Sequence, residues 1–253
     1  MPVHQEFNRR WLAALCAVAA LLLGSCRSAG TGVNVPFDPL SLGPAGSALK
    51  KFLERPMKRA GLVMKAKFEA SLPNMKKHGV METEKRIDEK GHVSYEMKSF
   101  QGDDTIKKQV IARYISAEQD SSNTPNGGAA DIQPQNYKFK YKRSDKLGDK
   151  QAEVFEVAPR RSAVGLFKGE IWLDPESGLP LRFTGRLVRN PSVIFKTNDF
   201  VQDFVLQGGQ AFESVLTIDS NTRLVGKVIM QITTTDVQST LPEKKGPETK
   251  SDE

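Results

Sequence analysis

Cysteine is almost missing from this chain: Cys16 and Cys26 are the only two in 253 residues, and both lie near the amino terminus. The chain beyond Cys26 therefore holds no thiol for a disulfide, a metal site or a nucleophile, and its fold must rest on its core. Histidine is nearly as scarce. After His4 there are only His78 and His92, which read as surface strand or turn residues. No carboxylates stand near them at a metal-ligand spacing, so no metal and no cofactor is expected. There is no Gly-x-Ser-x-Gly elbow, phosphate loop or dinucleotide fingerprint. The carboxylate pairs Asp199/Asp203 and Glu153/Glu156 read as surface decoration, and no catalytic residue and no enzyme activity are expected. Apolar runs are short: Trp11–Leu23 falls well below the roughly 20 residues that a membrane span needs. Blocks of like charge are missing too. The 37 basic and 30 acidic residues alternate, for a net charge of +7. That mixture predicts a solvated exterior, or a surface tuned to anionic lipid headgroups.

What is present begins at the amino terminus. Arg9 and Arg10 precede the apolar stretch, and Leu23-Gly24-Ser25-Cys26 ends it. This is the layout of an exported leader with a cleavage site. The ending resembles the lipobox of bacterial lipoproteins. The resemblance implies removal of residues 1–25, lipid attachment at Cys26 and acylation of the new amino terminus by a palmitate-like chain. Such an anchor implies a partner, the membrane, and makes nucleic acid an unsuitable one. Arg27 and Ser28 follow the cysteine. Neither is the aspartate associated with inner-membrane retention, so the rule for enteric lipoproteins implies the outer membrane, facing the periplasm. Removing 25 of the 253 residues leaves 228, carrying a net +6 because the leader takes two basic residues and one acidic one with it.

Residues 26–46 are rich in Gly, Pro and Ser and read as a lipidated cysteine followed by a flexible tether. Residues 239–253 read as a disordered polar tail. Between them, 47–238 form the expected domain, interrupted by a low-complexity loop at 118–135. Period-2 alternation recurs through it, the signal of half-buried strands. Leu62, Met64, Ala66 and Phe68 alternate with lysines and Glu69; Val93, Tyr95 and Met97 with Ser94, Glu96 and Lys98; Tyr137, Phe139 and Tyr141 with lysines. Leu181, Phe183 and Leu187 alternate with Arg182, Thr184 and Arg186, and Phe212, Leu216 and Ile218 repeat the pattern. Asp174–Gly178, Gly208-Gly209 and Asp219–Thr222 read as turns. Leu49, Phe52 and Leu53 predict a short helix ended by Pro56. Ile106, Val110, Tyr114 and Ala117 predict a second, capped by Asp103 or Asp104. Trp172, opposite Ile171 and Leu173, reads as a core residue under a helix or as a surface aromatic. The expected fold is mainly β with some α: about ten antiparallel strands curling into a barrel or half-barrel, with helices across the opening.

From Tyr95 onward the chain also resembles bacterial outer-membrane lipoprotein-sorting proteins, relatives of the periplasmic lipoprotein carrier and its outer-membrane receptor (LolA/LolB-like). The residues that carry this are Asn136-Tyr137 with Phe139, the run Glu153 to Pro159, the run Gly165 to Asp174, Arg189-Asn190-Pro191-Ser192, and an aromatic strand with Phe200 and Phe204. The match covers roughly residues 95–237. It implies an unclosed, strongly curved antiparallel sheet around an acyl-chain cavity. The receptor's protruding leucine loop and the carrier's cavity arginine have no counterpart assigned here; Arg182 and Arg186 fall on the polar face.

The expected function is binding of the acyl chains of a lipid or lipoprotein in an apolar half-barrel, in lipoprotein sorting. Its expected lining is Met64, Phe68, Tyr95, Met97, Phe139, Phe155, Phe167, Ile171, Leu181 and Phe183. Alternation fits a packed core of the same ten residues equally well. The alternative function is a non-catalytic envelope scaffold or sensor that binds a protein partner through a sheet edge or loops.

Overall fold

The computed structural model describes residues 38–43, 45–55, 60–122, 131–190, 195–223 and 225–240. The leader, Cys26 and residues 241–253 of the expected tail lie outside them. Within the expected tether, Asp38 caps a 3-10 turn over Pro39–Leu42 through a hydrogen bond from the Leu40 amide.

Ten strands form one antiparallel sheet: β1 Leu62–Leu72, β2 Lys77–Ile87, β3 Val93–Gly102, β4 Tyr137–Leu147, β5 Lys150–Pro159, β6 Phe167–Leu173, β7 Pro180–Leu187, β8 Phe195–Gln207, β9 Gln210–Thr222 and β10 Lys227–Ser239. Their spatial order is β3-β2-β1-β10-β9-β8-β7-β6-β5-β4. Consecutive strands pair as hairpins on either side of a seam, where β1 meets β10 with Phe68 opposite Ile232. The two edges are β3 and β4, and the sheet does not close on itself. The last turn falls at 223–226 rather than at Asp219–Thr222, because the β9 ladder runs on through Asn221 opposite Lys227.

A flat ten-stranded sheet would be about 43 Å across at the usual interstrand spacing. Yet Tyr95 on β3 and Gln202 on β8, five strands apart in this order, line one void of only about 10 Å³. The sheet must therefore be strongly curved, which makes the architecture a half-barrel. One device for this is a pair of glycines. Gly169 and Gly185 face each other in the β6–β7 ladder. A Cβ on Gly169 would lie 1.9 Å from the Thr184 carbonyl oxygen, and one on Gly185 would lie 2.6 Å from Phe167 Cδ2. Glycine inside a strand permits such close approach and a tight bend.

Two helices cover the inner face. α1 (Gly46–Glu54) lies by the β6–β7 turn, where Phe52 meets Phe183 edge-on at 6.0 Å. α2 is a 19-residue helix in three consecutive segments, Asp104–Ile106, Lys107–Ile111 and Ala112–Ser122. It starts where a cap at Asp103 predicts but ends later than a loop at 118–135 would allow, since 118–122 are helical. Asp103 caps it by accepting a hydrogen bond from the Thr105 amide at 2.7 Å. The expected stripe of Ile106, Val110, Tyr114 and Ala117 is buried against the sheet, with Ile111. The middle segment is π-helical, a wider winding that costs regular hydrogen bonding and often marks functional sites. In sequence α2 joins β3 to β4, the two open edges.

Candidate functional site

The expected lining residues divide in four ways. Phe68, Phe139, Phe155, Phe167, Ile171 and Phe183 are buried together in the main cluster. Met64 is buried in a smaller cluster with Leu62, Ile87 and Val93, and Tyr95 packs against both clusters. Leu181 is buried but belongs to neither cluster; it sits beside the β6–β7 register shift, where Trp172 pairs with Arg182 and Leu173 with Pro180. Met97 is corrected: it is 50 % exposed. It lies opposite Thr83 on the edge strand β3, next to a bulge in which Glu82 pairs with Ser99 and Thr83 with Met97.

The inner face presents packed rings where an open acyl cavity was expected. Phe183 and Phe204 lie 4.8 Å apart, Phe167 and Phe200 5.0 Å, Tyr141 and Phe155 5.6 Å, and Phe68 is 5.9 Å from Tyr114 of α2. These tilted and edge-on contacts fill the space that a bound chain would take. A hollow of about 1000 Å³ lies on the outer face instead, lined by Lys168, Glu170, Thr184, Arg186, Asp199 and Asp219 among others. Its charges are largely neutralised in pairs: Arg186 is bidentate to Asp199 at 2.6 and 2.9 Å, and Arg143 binds Glu170. Trp172 stands on this face too, half-buried, with the Arg143 guanidinium 5.2 Å from its ring and its indole N–H donating to Glu170. It is therefore the surface aromatic of the two readings. Asp203 pairs with Arg182 as Asp199 does with Arg186, so both carboxylates are held by guanidinium groups.

A polar cluster within the half-barrel was not anticipated. Lys85 on β2 points inward, with its Nζ 2.6 Å from Oε1 of Glu118 on α2. Both side chains are buried, Glu118 completely. The Tyr95 hydroxyl donates to the other oxygen of Glu118. Burial, followed by the Glu118 charge, pushes the Tyr95 phenol well above its ordinary range, so Tyr95 stays a neutral donor. Beside them is a void of about 10 Å³ lined by Lys85, Tyr95, Tyr114, Gln202 and Glu213. Gln202 donates to the carbonyls of Asp203 and Val215, while its Oε1 is buried without a hydrogen-bond partner among the described residues. A void of that size has room for about one water.

Alternation contained a signal for this cluster. Lys85 falls in phase with Met81, Thr83 and Ile87, all buried. Glu118 falls four residues after Tyr114, on the apolar stripe of α2. A charge in the buried phase of each element marks a pair in waiting.

No family model matches the chain, and no curated protein matches it. Among solved structures it is similar to a LolA superfamily protein of Nitrosomonas europaea, at 11 % identity, covering 79 % of this chain and 96 % of that one, with a TM-score of 0.38. It is similar to a domain from Vibrio parahaemolyticus named as an outer membrane lipoprotein-sorting protein, at 12 % identity, 80 % and 94 % coverage and a TM-score of 0.39. It is also similar to a chain of the MucA/MucB complex of Pseudomonas aeruginosa, at 9 % identity, 79 % and 100 % coverage and a TM-score of 0.25.

Proposed function

We propose that this is a lipid-anchored envelope protein that takes an acyl chain of a lipid or lipoprotein under α2, in lipoprotein sorting at the outer membrane. The observation that carries the reading is the Lys85–Glu118 pair between sheet and helix. A buried ion pair holds two elements together no better than apolar residues of similar volume. It has a different merit in a cover that opens: once α2 leaves, both charges regain water, and the open state is less costly than one exposing only apolar surface. The π-helical segment gives the same helix a weakened point at Lys107–Ile111. The ligand repays the opening. Each buried CH₂ contributes ~0.8 kcal/mol, so a chain of ordinary length offers on the order of 10 kcal/mol before ordering costs. The reading is one of binding, with no chemical step.

Native mass spectrometry of the protein offered a lipid extract tests it. A bound phospholipid or acylated peptide supports the reading. A protein that stays empty would leave the packed rings as a permanent core.

One observation favours a second reading, a scaffold or sensor that binds a protein strand. Both sheet edges are open, and the exposed Met97 lies on edge strand β3, as a surface for strand addition would require.

A further inference from the structure

The two rims of the half-barrel differ in charge. One rim is built from the β1–β2, β5–β6 and β7–β8 connections, the start of β4 and the adjoining strand ends. Lys76, Lys138, Arg160, Lys168, Arg189 and Lys196 are all exposed there. Among the described residues the side chains of the five other than Arg160 make no ion pair or hydrogen bond, and the Arg160 guanidinium donates only to the backbone carbonyls of Pro134 and Tyr137. The nearby carboxylates Asp103, Asp104 and Asp219 are each paired with a further lysine, Lys77, Lys108 and Lys227. The opposite rim is mixed to acidic, with Asp88 and Glu89 beside Lys90, Asp149 beside Lys150, and Asp174 and Glu176 in the β6–β7 turn.

We propose that the basic rim docks on an anionic bilayer surface. Two further observations select a bilayer over an acidic protein. Five of the six cations, all but Lys76, come from the ends of the neighbouring strands β4 to β8, which places them along a rim rather than in a groove. Exposed apolar side chains stand among them: Met75, Val164 and Val188 are 44 %, 45 % and 37 % exposed. Basic residues interleaved with apolar tips bind headgroup phosphates while the tips enter the interface. The docking does not depend on acyl uptake under α2. It would instead present the domain to the membrane on the rim away from α1, through which the tether joins it.

The test uses the full chain reconstituted in phosphatidylcholine vesicles, with or without phosphatidylglycerol, and reads amide hydrogen exchange of the connections 73–76 and 160–166. A local readout separates rim docking from any anchoring elsewhere in the chain. Phosphatidylglycerol should slow exchange in these connections, and high salt should abolish the effect. A basic residue near such a surface contributes ~1 kcal/mol, about fivefold each. Lys138→Gln with Lys168→Gln should therefore cut the protection roughly 25-fold. Lys90→Gln with Lys146→Gln on the opposite rim should leave it unchanged. Protection that is indifferent to phosphatidylglycerol, or equally sensitive to both pairs of substitutions, overturns the proposal. Protection by polyglutamate but not by phosphatidylglycerol overturns it in favour of an acidic protein partner.

Discussion

Lys85 Nζ lies 2.6 Å from Glu118 Oε1, so the inside of the half-barrel is tied to its covering helix by a charge pair across 33 residues of sequence. Removing one partner leaves the other charge buried and alone. Glu118→Ala should therefore destabilise the fold by about 3–5 kcal/mol. Lys85→Met with Glu118→Leu should recover most of that loss, since apolar pairs of similar volume serve as well. Urea titration of Lys85→Met, Glu118→Leu and the double variant measures the coupling. Additive losses would show that the pair does not act as a unit.

The glycine pair in the sheet gives a second test. Gly169→Ala places a Cβ 1.9 Å from the Thr184 carbonyl oxygen, with backbone rather than a flexible side chain in the way. The strands must part, and a loss of about 1–3 kcal/mol is expected, as for overpacking in a core. At Gly148, where φ is +65° but a Cβ would meet nothing, only the conformational cost of the left-handed backbone remains, and the same substitution should cost less. Thermal melts of both variants check the ranking.

Asp103 predicts a pH dependence. The Thr105 hydroxyl, then the Thr105 amide, hold its carboxyl below the ordinary carboxylate range, helped by Lys77. A folded-state pKa below the unfolded value stabilises the protein at pH above the unfolded value, near 3.9, and that part is lost as pH falls through the folded value. Asp103→Asn should therefore be less stable than the parent at pH 7, and the gap should narrow below about pH 4. Denaturation curves at pH 7 and pH 3 would contradict this if the gap were the same at both.

Tyr95 acts at the other end of the pH scale. Burial and the Glu118 charge raise its pKa, so its neutral form is favoured in the fold. A raised pKa adds stability that is present below the unfolded value, near 10, and is lost as pH rises above it. Tyr95→Phe should lower stability at pH 7, because Glu118 loses a hydrogen bond, and should blunt the alkaline loss above about pH 10. The pH-dependence of the urea midpoint reads both effects.

Most of the fold was legible because a half-buried strand writes its two faces into the sequence. Phe68, Phe139 and Phe183 announce their face through neighbours at ±2, and Ile106, Val110 and Tyr114 announce theirs through a 3.6-residue period. Asp103 was legible as a cap for the same local reason. What was missed depends on partners far away in sequence. Lys85 holds the buried phase of β2, but the charged neighbours Glu84 and Arg86 obscure that signal until α2 brings Glu118 to it. Met97 carries the right phase but sits on an open edge, and alternation does not say which strands are edges. Whether an apolar face is packed or hollow depends on three-dimensional fit, which rings such as Phe167 and Phe200 settle only once the sheet has curled.

The most direct test of the central claim is hydrogen exchange of α2 with and without a single-chain phospholipid. The account predicts that the lipid binds and that the amides of Lys107–Ile111 and Ala112–Ser122 exchange faster in its presence, while β1 and β10 at their seam keep their protection. Failure to bind, or binding that leaves the exchange of α2 unchanged, would contradict the claim that the acyl chain enters beneath this helix.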